Sequence, residues 1–439
     1  MNDSELSRRR RFLARVMAKR DQERREEIDS LGNRPDFRDE FGYFLDLYEK
    51  TRSPENFEAR FNRPVVATFC LLAPLELFYA LDIQPLKLYG GSPALGQLAG
   101  PDVPATMCPA MKSLLLELEA VPSLKSIPWV IPTTCFWVRK FFDQAKFLGR
   151  ASGSVHYLET PKVKTSALAQ NNWLLQIYAL ADHLKTISKV SLTRNRLLAA
   201  IKVFQRARRG IFELLELKKV GKVPLSWFLA ITGSFFLDRT ENWILAVEKA
   251  KNVFAKGRGD IKGAAFPGIF LSGSPIHFPN FKLVHLLEEV GLTVLVDDLC
   301  SGERVIPRHL AIGDPSLAGI LKALAETYFL GCQCPIFAGS ERRLNSIYQA
   351  YRSVNLKGVI FHVLKGCHCF DQDSCLLVNR LGKAGFKLLR LETDYSPADA
   401  PNLLTRLEAF RSLISSPMAP AFSPEVGSTD QPPRIGQRL

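Results

Sequence analysis

Short apolar runs alternate with amphipathic stretches over residues 55–160 and again over residues 261–416. Apolar runs bounded by Gly or Pro are typical of buried strands, and the stretches between them have the periodicity of helices. Strands that alternate with helices along a chain indicate parallel sheets with crossover connections. We therefore predict an α/β protein with two parallel-sheet lobes of the flavodoxin or Rossmann kind and a helical insertion between them.

The predicted strands fall into one set in each lobe. In the first lobe they cover residues 64–70, 84–88 and 126–135. In the second lobe they begin at residue 268 and continue with residues 293–300, 357–367 and 386–391. Each run is rich in the β-branched and aromatic residues that pack well in a sheet.

The other segments differ in composition from the two lobes. Residues 1–54 alternate basic with acidic side chains and have a narrow apolar stripe, which predicts a solvated helical arm or a partner-docking helix. Residues 161–260 predict only helices, and the stretch 183–222 holds eleven Lys and Arg against two acids. Residues 417–439 are rich in Pro, Ser and Gln and predict a disordered tail.

The chain of 439 residues is basic, with 58 Lys and Arg against 44 Asp and Glu. Such a charge favours anionic partners such as a phosphate-bearing ligand. Acids nearly offset the bases of the arm, which argues against a nucleic-acid-binding module. The N-terminus is charged where a signal peptide is apolar, and the longest apolar run, residues 225–237, is too short to cross a bilayer. We therefore expect a cytoplasmic protein with no membrane or nucleic-acid partner.

Nine cysteines without a secretory signal indicate reduced thiols and not a disulfide framework. Cys135, Cys300 and Cys367 each end a predicted strand. In open parallel sheets, ligands bind in the crevice beyond the carboxyl ends of the strands. Two such lobes facing each other would bring these thiols to one cleft, so we predict a thiol site there.

Common site motifs are absent from the sequence. There is no paired C-x-x-C zinc pattern, no ferredoxin-type cysteine run, no phosphate loop, no G-x-S-x-G elbow and no H-E-x-x-H helix. The ligands of any iron–sulfur cluster are therefore dispersed along the chain. Three thiolates on four irons would leave one iron open to an oxygen ligand, which is a Lewis-acid site.

Eight motifs, in order over about residues 60–415, resemble subunits of the 2-hydroxyacyl-CoA dehydratase and benzoyl-CoA reductase family. They begin with Thr68-Phe-Cys-Leu-Leu-Ala-Pro-Leu-Glu-Leu, Met107-Cys-Pro-Ala-Met-Lys and Pro132-Thr-Thr-Cys. They continue with Leu271-Ser-Gly-Ser-Pro, Val296-Asp-Asp-Leu-Cys-Ser-Gly-Glu-Arg, Gly358-Val-Ile-Phe-His-Val-Leu-Lys-Gly-Cys, Leu391-Glu-Thr-Asp-Tyr and Thr405-Arg-Leu-Glu-Ala-Phe.

The resemblance implies a [4Fe-4S] cluster held by Cys108, Cys135 and Cys367, with an acyl-CoA or aryl-CoA substrate bound beside it. It also implies a heterodimer with a related second subunit and a separate ATP-hydrolysing activator that donates low-potential electrons. The basic segment would then meet the phosphates of CoA. Glu76 occupies the family's helix glutamate, which indicates either proton handling and substrate orientation or an acid favoured by the helix N-terminus.

Departures from the family pattern leave alternatives open. Phe136 stands where the family usually has Asp, and Cys369 is a substitute for Cys367 as the third ligand. The arm and the long middle segment favour a benzoyl-CoA-reductase-like subunit, which would carry out one-electron reduction of an aryl- or acyl-CoA thioester. The alternatives are a subunit of a 2-hydroxyacyl-CoA dehydratase and a non-catalytic scaffold paralogue. Cys70, Cys300 and Cys334 match recurrent family cysteines but not ligand positions.

Overall fold

The computed structural model describes residues 3–51, 60–98, 103–257, 266–307 and 310–416. The predicted disordered tail, residues 417–439, lies outside the described residues. Residues 1–2 and 52–54 of the predicted arm also lie outside the described residues.

Two parallel sheets form the centres of the two lobes. Their strands are β1 (Val65–Thr68), β2 (Gln84–Lys87), β3 (Trp129–Pro132), β4 (Val155–Leu158), β5 (Gly268–Gly273), β6 (Thr293–Asp297), β7 (Gly358–Leu364) and β8 (Leu388–Thr393). The strand order is β2-β1-β3-β4 in the first sheet and β6-β5-β7-β8 in the second. Every neighbouring pair is parallel. The predicted α/β class with two parallel-sheet lobes is confirmed.

Burial explains which strands the sequence reveals. Every residue of β1, β3, β5 and β7 is buried, because helices cover both faces of the central strands. These strands therefore appear as continuous apolar runs. Strand β4 is an edge strand in which only Leu158 is fully buried, and the sequence analysis did not predict it.

Helices surround the sheets and fill the space between the lobes. Those before β4 are α1 (Asp3–Gly32), α2 (Asp39–Lys50), α3 (Leu75–Ala80), α4 (Pro93–Gln97), α5 (Pro109–Ala120), α6 (Pro122–Ser126) and α7 (Phe136–Phe147). The middle helices are α8 (Ala167–Ser188), α9 (Arg194–Lys219), α10 (Leu225–Gly233) and α11 (Thr240–Lys256), with a 3-10 turn at Ser234–Phe236. The later ones are α12 (Lys282–Val290), α13 (Leu317–Leu330), α14 (Glu341–Ser353), α15 (His368–Lys383) and α16 (Ala400–Ser415), with a 3-10 turn at Pro397–Asp399.

The middle helices pack into the cores of both lobes. One apolar cluster joins Phe204, Trp227 and Trp243 of this segment to Ile269 and Leu271 of β5. A second cluster joins residues of α8 and α9 to β1 and to α13. The segment is helical, as its sequence predicts, and it connects the lobes by apolar contact. The division of the chain into the five predicted domains stays a prediction.

The arm helix α1 lies against the body of the protein. Val16 and Leu31 are buried, and Arg20 and Glu27 are buried although they are charged. Residues far away in the sequence form ion pairs with the arm, and Nε of Arg9 lies 2.6 Å from Oε1 of Glu119. The expectation of a solvated arm therefore differs from the structure, because these ion pairs and apolar contacts hold α1 on the lobes. Within the described residues, no helix has the length and apolar character needed to cross a membrane.

Candidate metal centre between the two lobes

Three of the predicted site cysteines occupy the same position relative to a helix. Cys108, Cys135 and Cys367 are the N-cap residues of α5, α7 and α15. Burial raises the pKa of each thiol, and backbone N–H groups of the first helical turn partly offset that rise. Free N–H groups give a helix N-terminus a partial positive charge that stabilises a thiolate. The helix N-terminus at each sulfur therefore offsets part of the cost of a buried thiolate.

The three thiols lie close together, although they are far apart in the sequence. After burial, the neighbouring thiols Cys367 and Cys135 make the next contributions that raise the pKa of Cys108. Burial raises the pKa of Cys367 to about 11, and Cys135 is again among the causes. Cys135 follows β3 and Cys367 follows β7, so the carboxyl edges of the two sheets face each other here. The structure brings together the three thiols that the resemblance implies as ligands.

Gly366 lets the loop of Cys367 approach the loop of Cys108. Its φ is +77°, a left-handed conformation that favours glycine. A Cβ atom at this position would lie 2.4 Å from the carbonyl oxygen of Thr106 and 3.2 Å from the backbone nitrogen of Cys108. Only a residue without a side chain fits, so the close approach of the two thiol loops depends on this glycine.

Cys369, the predicted substitute ligand, borders the same cleft from the first turn of α15. Burial raises its pKa to about 12, and Cys135 and Cys367 add to the effect. Lys162 lies nearby and donates from Nζ to the carbonyl oxygen of Thr133 at 2.6 Å. Its charge lowers the pKa of Cys369 and so opposes part of the rise. Cys367 and Cys369 both lie near Cys135, so the choice between them as the third ligand stays a prediction.

A second group of thiols lies beside the first. Burial raises the pKa of Cys70 to about 12, and the thiols of Cys332 and Cys300 contribute to the rise. Burial and Cys332 likewise raise the pKa of Cys334 well above its usual value. Cys300 also contributes to the raised pKa of Cys367, so this second group of thiols lies next to the group of Cys108, Cys135 and Cys367. Cys300 ends a predicted strand, but its proximity to Cys332 and Cys334 depends on the tertiary fold and has no signal in the local sequence.

Cations surround the second group. Arg304 and Lys164 lower the pKa of Cys332 and so offset part of the effect of its burial. Lys164 also donates from Nζ to the carbonyl oxygen of Cys332. Burial lowers the pKa of Lys87, and the nearby thiols of Cys300 and Cys70 raise it and so offset part of that effect. The half-buried cations Arg304 and Lys164 and the buried Lys87 favour negative charge in this part of the cleft.

The sequence matches a known family over most of its length. The family model described as "2-hydroxyglutaryl-CoA dehydratase, D-component" matches residues 70–414. The chain belongs to this family.

Two curated relatives agree with this assignment. The protein named dehydratase subunit YjiM of Escherichia coli (strain K12) is 24% identical over 366 residues, which cover 80% of this chain and 91% of the relative. A benzoyl-CoA reductase subunit of Thauera aromatica is 22% identical over 266 residues, which cover 59% of this chain and 67% of the relative. Both matches bear out the resemblance drawn from the eight motifs.

The thiols of this dehydratase-family chain are donors of the kind that an iron–sulfur cluster takes. Among the described residues, no three His, Cys, Asp or Glu side chains are arranged to share one metal ion. Cys108, Cys135 and Cys367 pack in one apolar core with Trp137, Leu364 and Tyr395. An apolar shell limits solvent access, which is what an iron–sulfur site requires.

Glu76 lies in a buried ion pair in this family member. Its side chain is fully buried; Oε1 accepts from Nη2 of Arg208, and Oε2 accepts from the hydroxyl of Tyr328 at 2.8 Å. Both carboxylate oxygens are therefore occupied by partners from α9 and α13. The contacts support a structural role at the start of α3, and the proton-handling role stays a prediction.

Part of the charge of the basic segment is used inside the protein. Arg208 is buried against Glu76, and Lys218 is fully buried with Nζ 3.0 Å from Oδ2 of Asp297. Arg194 and Arg196 donate to the carbonyl oxygens of other segments. These contacts hold the middle helices against the two lobes, and the buried side chains of Arg208 and Lys218 cannot also meet the phosphates of CoA. Contact of the exposed basic side chains of this segment with CoA stays a prediction.

Proposed function

We propose that this chain is the iron–sulfur subunit of an enzyme complex that acts on an aryl- or acyl-CoA thioester, with a benzoyl-CoA-reductase-like role as the first candidate. The single observation that carries the proposal is the meeting of Cys108, Cys135 and Cys367 at three helix N-caps in one cleft. The membership of the chain in the dehydratase family supports it. The partners would be a related second subunit and a separate ATP-hydrolysing activator.

The second candidate is a subunit of a 2-hydroxyacyl-CoA dehydratase. A specific observation favours it, because the match to dehydratase subunit YjiM covers 91% of that relative, whereas the match to the benzoyl-CoA reductase subunit from Thauera aromatica covers 67% of that one. The long arm and middle segment favour the reductase. Both candidates use the same thiol set and differ in the substrate.

A [4Fe-4S] cluster held by Cys108, Cys135 and Cys367 would supply one-electron chemistry at low potential and a Lewis-acidic iron beside the thioester. The protein's own part is to hold and shield that position. The helix N-termini stabilise the thiolates, and the apolar side chains around them exclude water. Gly366 keeps the loops of Cys108 and Cys367 in contact. The cleft opens where the carboxyl ends of parallel strands meet, which is where such folds bind ligands.

Anaerobic purification followed by iron and sulfide analysis tests the proposal. We expect a brown protein with about four irons per chain. Cys108→Ser, Cys135→Ser and Cys367→Ser should each lower the iron content and abolish activity. Cys375→Ser, at an exposed position of α15, is the matched control and should retain iron. A colourless protein that takes up no iron on reconstitution would instead support a scaffold.

Further cysteines refine the same experiment. Cys369→Ser should retain iron if Cys367 is the third ligand, and a loss at Cys369 with retention at Cys367 would exchange their roles. We expect Cys332→Ser to retain iron. A loss at Cys332 would extend the metal site into the second thiol group. Assays of the purified complex plus activator with benzoyl-CoA and with 2-hydroxyacyl-CoA thioesters then separate the two candidate reactions.

A further inference from the structure

A cavity of about 90 Å³ lies between the arm and the two lobes. Its walls come from α1, α2, the end of β2 with the loop after it, and residues 276–279 of the second lobe. The polar side chains that matter here are Arg20, Arg24, Lys87, His277 and Glu117. This volume is large enough for several water molecules or a small ion.

Lys87, the last residue of β2, is a buried cation in this cavity. Its side chain is 4% exposed, and Nζ has no hydrogen-bond partner among the described residues. The ammonium lies 4.6 Å from the ring centre of Tyr89 and 5.5 Å from that of Phe236. Burial lowers the pKa of Lys87, and the thiols of Cys300 and Cys70 only partly offset this effect. A buried ammonium is costly without a hydrogen-bonded anion, so this position favours a ligand of negative charge.

Arg24 brings a second cation to the cavity from the arm helix. Its Nη2 donates to the carbonyl oxygen of Tyr48 at 2.8 Å and to Oγ1 of Thr51 at 3.2 Å. Its Nε is buried and has no partner within the part of the chain that the structure describes. Burial, followed by the charge of Arg20, lowers the pKa of Arg24 to about 10. The guanidinium therefore has one donor and part of its charge left for a ligand.

The other charged and titratable groups leave this excess positive charge in place. Arg20 is occupied by Asp21 at 2.7 Å and by Glu117 at 2.9 Å. Burial, followed by the charge of Lys87, holds the pKa of His277 well below its usual range, so this imidazole is neutral near pH 7. A neutral imidazole still offers one donor and one acceptor to a bound molecule.

We propose that this cavity binds a small oxyanion, a carboxylate or a phosphate group, between Lys87 and Arg24. Oxygen atoms of such a group would accept from Nζ of Lys87 and Nε of Arg24, and charge-assisted hydrogen bonds of this kind are strong in a site with little water. The site needs the arm, because α1 supplies Arg24 and one wall. It involves no metal and does not rest on the proposed function.

Calorimetric titration of the full-length protein at constant ionic strength tests this site. The probes are inorganic phosphate, succinate and glycerol 2-phosphate, with chloride as the balancing anion. We expect saturable binding of one anion per chain by the unchanged protein. Lys87→Met keeps the bulk of the side chain and removes its charge, and Arg24→Gln removes the free guanidinium donor. Each should weaken binding by about tenfold or more, because each removes one charge-assisted hydrogen bond.

Lys256→Met, at an exposed position in the last turn of α11, is the matched control and should bind as the unchanged protein does. Tighter binding of the organic anions would identify the anionic end of a substrate, whereas equal or tighter binding of phosphate would identify a free inorganic anion. Either order supports the site. The proposal is overturned if the unchanged protein binds none of the three anions saturably, or if Lys87→Met and Arg24→Gln, each folded by circular dichroism, bind as tightly as the control.

Discussion

The indole Nε1 of Trp137 donates a hydrogen bond to the carbonyl oxygen of Gly366 at 3.1 Å. Trp137 lies two residues after Cys135 in the first lobe, and Gly366 immediately precedes Cys367 in the second. The bond therefore fixes the distance between two thiol-bearing segments of different lobes. Because Trp137 is buried, water cannot easily replace the bond if it is lost.

Trp137→Phe should lower both stability and metal retention. The substitution removes one buried hydrogen bond, at a cost of about 1 kcal/mol plus the cost of the unpaired carbonyl group. We expect a lower thermal unfolding midpoint and faster loss of iron to a chelator. Trp173→Phe is a matched control, since Trp173 donates to the carbonyl oxygen of Ala325 at 2.9 Å and packs in a different apolar core. Equal loss of iron in the two variants would show that the Trp137 bond has no special role at the site.

Gly366→Ala should disrupt the thiol cleft more than a glycine substitution elsewhere. The new Cβ would lie 2.4 Å from the carbonyl oxygen of Thr106, so the loop of Cys367 must move away from that of Cys108. Gly339 has a similar positive φ of +85°, and nothing lies within 4 Å of a Cβ built there. Gly339→Ala therefore measures backbone strain alone, about 1 kcal/mol or more.

The measurements for this pair are iron content per chain and thermal unfolding. We expect both glycine variants to lose stability and only Gly366→Ala to lose iron. Iron retained at the level of the unchanged protein in a folded Gly366→Ala would contradict the role given to this close approach.

Glu76→Leu should destabilise the fold strongly. It leaves the buried guanidinium of Arg208 without its carboxylate, and removal of one partner from a buried pair costs about 3 to 5 kcal/mol. The double substitution Glu76→Leu with Arg208→Met should recover much of the loss, because it removes both charges. The exposed pair Arg206 and Glu248 is the control, and Glu248→Gln should change the free energy of unfolding by less than about 1 kcal/mol.

The same variants separate a structural from a catalytic role of Glu76. A structural role predicts lower stability with unchanged turnover per folded, iron-loaded molecule for Glu76→Gln, which keeps the shape of the side chain. A loss of turnover without loss of stability in Glu76→Gln would instead support proton handling by this carboxylate.

Docking of the arm should weaken as the pH rises above about 6. Nε2 of His285 in α12 lies 3.0 Å from Oε1 of Glu27 in α1. Burial opposes protonation of His285, but its hydrogen bond to Glu27 and the charge of that carboxylate outweigh burial and raise the pKa of the imidazole. A pKa raised by folding gives stability that is present below the usual pKa of histidine and is lost as the pH passes the folded value.

Hydrogen exchange of α1, corrected for the intrinsic effect of pH, measures this dependence. Protection should fall as the pH rises above about 6 in the unchanged protein and change less in His285→Gln. Burial also raises the pKa of Glu27, so ionisation of this carboxylate lowers stability as the pH rises. This loss lies at lower pH than the loss from His285. The same profile in both proteins would show that His285 does not control the arm.

The sequence by itself predicted the two parallel-sheet lobes, since β5 and β7 are largely apolar runs of the kind that form buried strands. It also predicted where the cysteines stand relative to the strands. The reason is that strand and helix periodicity is local, and parallel strands end at a common edge in every sheet of this kind. Edge strand β4 was missed because its half-exposed residues give only a weak alternation over four positions.

Only the tertiary structure decided which charges are solvated and which thiols meet. The arm has the composition of a solvated helix, yet Arg9 pairs with Glu119 from a segment more than a hundred residues away. The grouping of Cys70 with Cys332, and the cavity that contains Lys87, likewise have no local pattern. Burial and pairing depend on contacts between distant segments, which periodicity and composition do not specify.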